Sequence, residues 1–123
     1  MAFDISIQKN SIPFNFKDDN GETQLTLEFD KSDDSIDNIY KQDEVIKKLY
    51  DSIDEEKADL DSTKELVERC FDSVLGDGSF KKVYAINPSC MIILQYYVAI
   101  VIHIRKELDD FEGAKDLEKY ING

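Results

Sequence analysis

The chain has 123 residues, of which 41% are hydrophobic and 11% aromatic, and its formal net charge at pH 7 is −12. This length and apolar content predict one folded domain, residues 1–123, and argue against a disordered chain. Because its lysines are scattered among 27 acidic residues, no nucleic-acid ligand is expected. The start of the sequence lacks the basic and apolar regions of a signal peptide, which predicts a soluble cytoplasmic protein.

Residues 1–30 alternate apolar and polar side chains in three runs, a period typical of half-buried strands. Asn20-Gly21 between the second and third runs favours a tight hairpin, and Pro13 favours an edge strand. The sequence therefore predicts a small antiparallel β-meander. Its apolar positions are Phe3, Ile5 and Ile7, then Ile12, Phe14 and Phe16, then Leu25, Leu27 and Phe29.

From Asp33 the apolar spacing becomes helical, and residues 33–112 are predicted to form a bundle of three main helices. The acidic residues 54–59 are expected to connect the first helix to the second. A capping box at 62–65 is expected to open the second helix, and Gly76 to end it. Asn87-Pro88 predicts the start of the third, and residues 113–123 are expected to form a C-terminal tail. The predicted fold class is α+β, mostly α.

The third helix contains the apolar run 91–104, which is too short to cross a bilayer, so no membrane partner is expected. At 100° per residue, an arc of roughly 160° holds the predicted core positions Ile93, Leu94, Tyr97, Val98, Ile100, Val101, Ile104 and Leu108. Ile92, Tyr96 and Ile102 lie in or beside the opposite, polar sector. Two readings stay open: the rest of the chain covers these three side chains, or they contact a protein partner or a second copy.

No group of residues in the sequence predicts a catalytic or metal-binding site. His103 is the only histidine, which makes a zinc site improbable. Cys90 lies thirteen residues away on the same helix, roughly 20 Å along its axis, which is too far for a nucleophilic pair. Cys70 and Cys90 fit buried, reduced positions. We therefore expect no catalytic, cofactor or metal site and a protein that is not an enzyme.

The segment Phe71–Tyr84, FDSVLGDGSFKKVY, places a glycine pair between a helix and a short aromatic-bearing helix. Together with the β-rich start and the long apolar helix, it resembles tail assembly chaperones of siphophages and prophages from Gram-positive bacteria, most strongly over Glu65–Asp110. The resemblance implies a non-enzymatic protein of the host cytoplasm. Such a protein would coat the tape measure protein and help recruit tail tube protein during tail assembly.

Two other functions fit the sequence. An acidic inhibitor that mimics nucleic acid would use the charge of −12 to occupy a basic binding site. Alternatively, the chain is another kind of small helical adaptor, whose apolar helix would bind a different protein. Either alternative predicts binding without catalysis.

Overall fold

The computed structural model describes residues 2–7, 9–54 and 60–111 of the chain. Over these residues a two-stranded antiparallel sheet precedes four helices, so the predicted α+β, mostly α, class is confirmed. The predicted tail, residues 113–123, and most of the predicted connector, residues 55–59, lie outside the described part. The elements are β1 (Ser11–Lys17), β2 (Thr23–Asp30), α1 (Asp33–Asp54), α2 (Leu60–Leu75), α3 (Ser79–Ile86) and α4 (Cys90–Phe111).

The hairpin between β1 and β2 forms at the predicted place. Asp18 organises its turn, since its Oδ1 accepts hydrogen bonds from the backbone N–H groups of Asn20 (2.9 Å) and Glu22 (3.0 Å). Gly21 has a φ of 79°, which only glycine adopts without strain. The apolar residues of both strands share one face of the sheet, on which Ile12, Leu27 and Phe29 are fully buried.

Of the three strands predicted for the meander, the first is wrong. In the described part of the chain the sheet has two strands, and Phe3, Ile5 and Ile7 are 89%, 80% and 99% exposed. The Asn10 carbonyl accepts a hydrogen bond from the Lys31 N–H at 2.9 Å, so the chain lies beside the end of β2 just before β1 begins. Residues 2–7 are therefore not part of this sheet.

Helix α4 is the centre of the core and packs against α1, α2 and α3. Its predicted apolar arc is confirmed, with only Val98 half-buried and the other members buried. Both cysteines are buried and unpaired, as expected. On α1 the apolar residues at helical spacing are not all buried, since Tyr40 and Tyr50 are exposed, whereas the polar Gln42 is buried. The fully buried large side chains include Phe29, Ile39, Phe71, Phe80, Ile93, Leu94, Tyr97 and Ile104.

Gly76 ends α2 as predicted, with a φ of 101° and its N–H bonded to the Asp72 carbonyl at 2.8 Å. The predicted capping box is wrong, because Ser62 already lies inside a helix that spans Leu60–Leu75. The N-terminus of the next helix, α3, is capped by Asp72. Its side chain accepts hydrogen bonds from the N–H groups of Phe80 (2.9 Å) and Gly78 (3.3 Å) at the start of α3.

Helix α4 begins two residues later than Asn87-Pro88 predicts. Asn87 has an extended conformation and ends α3, since its N–H bonds to the Val83 carbonyl. Ser89 takes the capping role, because its hydroxyl accepts the Ile92 N–H at 3.4 Å and its carbonyl accepts the Ile93 N–H at 3.0 Å. The apolar face of α4 is unchanged by this shift, so the core arc is still correct.

Candidate functional site on helix α4

The side of α4 opposite the core is the one surface for which the sequence predicts contacts. Its polar sector is exposed as expected, and it carries Gln95, Ala99, His103, Lys106 and Asp110. This sector separates two apolar surfaces that run along its borders. The three side chains singled out from the sequence are divided between them.

Tyr96 lies on the sheet side of α4. Its ring meets the ring of Phe16 edge-on, with 5.8 Å between the centroids, and it is half-buried. Ile102 is 62% exposed and lies about 120° away around the helix, as six residues at 100° each require. Ile92 is 37% exposed and lies between them. Tyr96 and Ile102 therefore belong to different surfaces.

The first surface, here called the outer strip, consists of Met91, Val98 and Ile102. These residues fall within about 40° of one another around α4 and extend about 16 Å along it. Met91 is exposed and Val98 is half-buried. From the sequence, Val98 is assigned only to the core arc and Met91 is not singled out, although the spacing of seven and then four residues from Met91 to Val98 to Ile102 indicates one helical face.

The second surface is an open groove of about 380 Å³ between β1 and α4. Residues 14–17 of β1 form one wall, whereas β2 contributes only Gln24. Tyr96, Ala99 and Ile100 of α4 form the other wall, and Ile86 of α3 lies at one end. A shallow continuation passes Phe14 and His103. We call this surface the β1–α4 groove.

Two titratable side chains of the core, Cys70 and Tyr97, are shifted toward their protonated forms. Burial raises the pKa of the Cys70 thiol, which lowers the fraction present as the nucleophilic thiolate. Burial, followed by the neighbouring Cys70, also raises the pKa of Tyr97. The Tyr97 hydroxyl donates a hydrogen bond to Gln42 Oε1. This buried pair therefore serves packing, with both groups protonated at neutral pH.

His103 lies on the surface, where its Nε2 is 3.3 Å from Glu107 Oε1 and its ring meets Phe14 edge-on. These contacts belong to the surface of α4 and place no nucleophile beside the imidazole. Within residues 2–7, 9–54 and 60–111, no group of three His, Cys, Asp or Glu side chains could hold a metal ion. The described residues thus form two apolar surfaces along the borders of the polar sector of α4.

Comparison of the chain with protein-family models, with curated proteins and with solved structures gave no match. Among the described helices none has the length and apolar character needed to span a bilayer.

Proposed function

We propose that this chain is a non-enzymatic protein-binding module that acts as a tail assembly chaperone in the cytoplasm of an infected cell. Its partners would be the tape measure protein and the tail tube protein. The observation that carries the proposal is the outer strip, an apolar face on a core helix that the described part of the chain leaves exposed.

The outer strip suits an amphipathic helix as its partner. A helix that docks on another helix places anchors at intervals of three, four and seven residues, and Met91, Val98 and Ile102 repeat at seven and four. A rigid core helix presents these side chains in fixed positions, which lowers the entropy lost on binding. A long helical tape measure protein would offer many such faces to successive copies.

The charge of −12 supports a role in keeping an apolar partner in solution, since copies that coat it would repel one another. The charges of α1 are of both signs, because Lys41, Lys47 and Lys48 stand among its carboxylates. Lys41 is paired with Asp37 at 2.9 Å. This mixing favours a protein-binding module over a nucleic-acid mimic, which would concentrate carboxylates on one surface.

The test is co-expression with a tape measure protein encoded beside this chain, followed by affinity capture at about 0.15 M salt. We expect co-purification with the wild-type chain and at least about fivefold less with Ile102→Asp, because an ionised carboxylate in an apolar contact costs desolvation free energy. Ile102 is mostly exposed, so the variant should fold normally. Circular dichroism would verify this.

The matched control is Ser62→Asp, which adds the same charge at an exposed position in the first turn of α2. It should capture as much tape measure protein as the wild type. Absence of co-purification with the wild-type chain would overturn the proposal. Binding that instead competes with DNA and weakens steeply with salt would favour the acidic inhibitor.

A further inference from the structure

We infer that residues 2–7 of one copy of this chain add as a third strand to β1 of a second copy, with Phe3, Ile5 and Ile7 entering the β1–α4 groove. The inference concerns a different surface from the outer strip and does not depend on the proposed function. Three observations carry it: a free strand edge, an apolar groove beside that edge, and an uncovered segment of matching period.

The free edge is the side of β1 that faces away from β2. The Asn10 carbonyl and the Asp18 N–H bond toward β2, so the even-numbered residues of β1 bond inward. The odd-numbered residues, Pro13, Asn15 and Lys17 among them, therefore direct their backbone groups outward. In the described part of the chain β1 pairs only with β2. Pro13 has no N–H to donate, which leaves the stretch 14–17 as the better half of this edge.

The groove lies beside that half of the edge. Phe14 and Phe16 are only partly buried, and their rings contact His103 and Tyr96 across it. A strand added to β1 would lie about 4.8 Å away and would direct alternate side chains toward α4. Each side chain entering there would cover apolar surface of Phe16, Tyr96 and Ile100.

The uncovered segment has the period that such a strand needs. Phe3, Ile5 and Ile7 are apolar, and Asp4 and Ser6 between them are polar. Strand addition of this kind combines main-chain hydrogen bonds with pockets for alternate side chains. Three exposed apolar side chains in a row are otherwise a liability in water.

The segment of the same copy does not occupy this edge, since the sheet of the described residues has two strands and Phe3, Ile5 and Ile7 are exposed. Phe3, Ile5 and Ile7 reach the groove only if they stand opposite even-numbered residues such as Phe14, because directly opposed residues share a face. A three-residue turn over 8–10 would pair Ile7 with Ser11 and direct all three to the solvent face. A two-residue turn, over 8–9 or 9–10, would need a positive φ at its first residue, Gln8 or Lys9, where glycine is favoured, and a four-residue turn over 8–11 would remove Ser11 from its place opposite Asp30. A second copy has no turn to make and can choose the correct register.

The test is the mass of the full-length protein in solution, measured by sedimentation velocity from about 1 to 500 µM. We expect a reversible dimer in which both copies exchange their segments, the closed form that identical partners adopt. Ile5→Asp should raise the dimer dissociation constant at least about tenfold. Ser6→Asp adds the same charge one position away, on the opposite face, and should leave the constant within about twofold of the wild type.

A mixing experiment identifies the exchange itself. Ala99 is exposed and lines the groove, so Ala99→Glu should block the groove and leave residues 2–7 intact. Each variant alone should be mostly monomeric. A mixture of Ile5→Asp and Ala99→Glu should form heterodimers, because the second supplies the segment and the first supplies the groove.

Three outcomes would overturn the inference. The wild-type protein could remain a monomer over the whole range. Ser6→Asp could weaken the dimer as much as Ile5→Asp does. Finally, Ile102→Asp could abolish the dimer while Ile5→Asp leaves it intact, which would assign self-association to the outer strip. Loss of tape measure binding alone would leave the dimer unchanged and would concern only the proposed function.

Discussion

Tyr97 is the clearest example of a single residue that fixes how helices meet. Its hydroxyl donates to Gln42 Oε1, and Gln42 Nε2 donates to Asn38 Oδ1 at 3.1 Å. Asn38 Nδ2 in turn donates to the Ser73 carbonyl at 3.0 Å, so the chain of bonds links α4, α1 and α2. Buried polar groups are tolerated because each one finds a partner. Gln42 is buried for this reason, which no apolar pattern could have indicated.

The same region should make stability fall in alkaline solution. Cys70 and Tyr97 have raised pKa values in the folded state, so above about pH 8.5, where an unfolded thiol begins to ionise, the folded state binds more protons than the unfolded state. The free energy of unfolding should be unaffected by these groups below that pH and should decline as the pH rises further. Urea unfolding at pH values from 7 to 10.5 would measure it.

Cys70→Ala and Tyr97→Phe are the variants that check this cause. Each removes one of the two ionisable groups, so the decline between pH 8.5 and 10.5 should be shallower than in the wild type, whatever the stability at pH 7. If the free energy of unfolding declined as steeply in both variants as in the wild type, other groups would be responsible.

At the scale of elements, Asp72 joins two helices by a contact that crosses a turn. Its carboxylate bonds the N–H groups of Gly78 and Phe80, which have no partner inside α3. Gly78, with a φ of 86°, provides the backbone geometry that brings them there. Asp72 therefore performs the role of an N-cap from the preceding helix.

Removing that carboxylate should loosen α3. Asp72→Ala should lower the free energy of unfolding by about 1–2 kcal/mol, the usual cost of losing a helix cap. Asp77→Ala is the matched control, since Asp77 is exposed in the same turn and should change stability by less than about 0.5 kcal/mol. Chemical denaturation of both variants decides the point, and equal losses would contradict the capping role.

Elements set by local chemistry could be predicted from the sequence, and those set by distant partners could not. Gly21 and Gly76 mark a hairpin turn and a helix end that depend on their own φ angles, and both predictions were correct. Period-two alternation in residues 2–7 shows which side chains share a face but not whether a strand edge is within reach. Similarly, Asn87 fits an N-cap in isolation, yet it ends α3, which moves the start of α4 to Cys90.

The candidate site likewise has features that the sequence predicts and features that depend on distant contacts. Helical projection separated the core arc of α4 from its polar sector, because burial on one face follows from the 100° repeat. It could not show that Phe16 covers part of Tyr96, since that contact depends on where the hairpin lies. The partner-contact role of Ile92, Tyr96 and Ile102 stays a prediction.

At the scale of the whole molecule, the net charge of −12 should oppose folding. Surface ion pairs such as Lys9–Glu28 and Lys41–Asp37 are exposed and contribute little, so repulsion among carboxylates should dominate.

Salt should therefore stabilise the fold. The Debye length falls from about 30 Å at 0.01 M to about 8 Å at 0.15 M. We expect Tm to rise by several degrees over that range in sodium chloride. Choline chloride should give the same rise, because screening needs no particular cation. A Tm that falls with salt would show that ion pairs outweigh the repulsion.

Pro13 limits how far strands of this protein can stack. A fibril requires every strand to bond along its length to strands above and below it, at a repeat of about 4.8 Å. The outer edge of β1 cannot provide this, because the missing N–H and the ring of Pro13 interrupt the ladder in its middle. Pro13 thus keeps the outer edge of β1 from serving as the template of a continuous fibril.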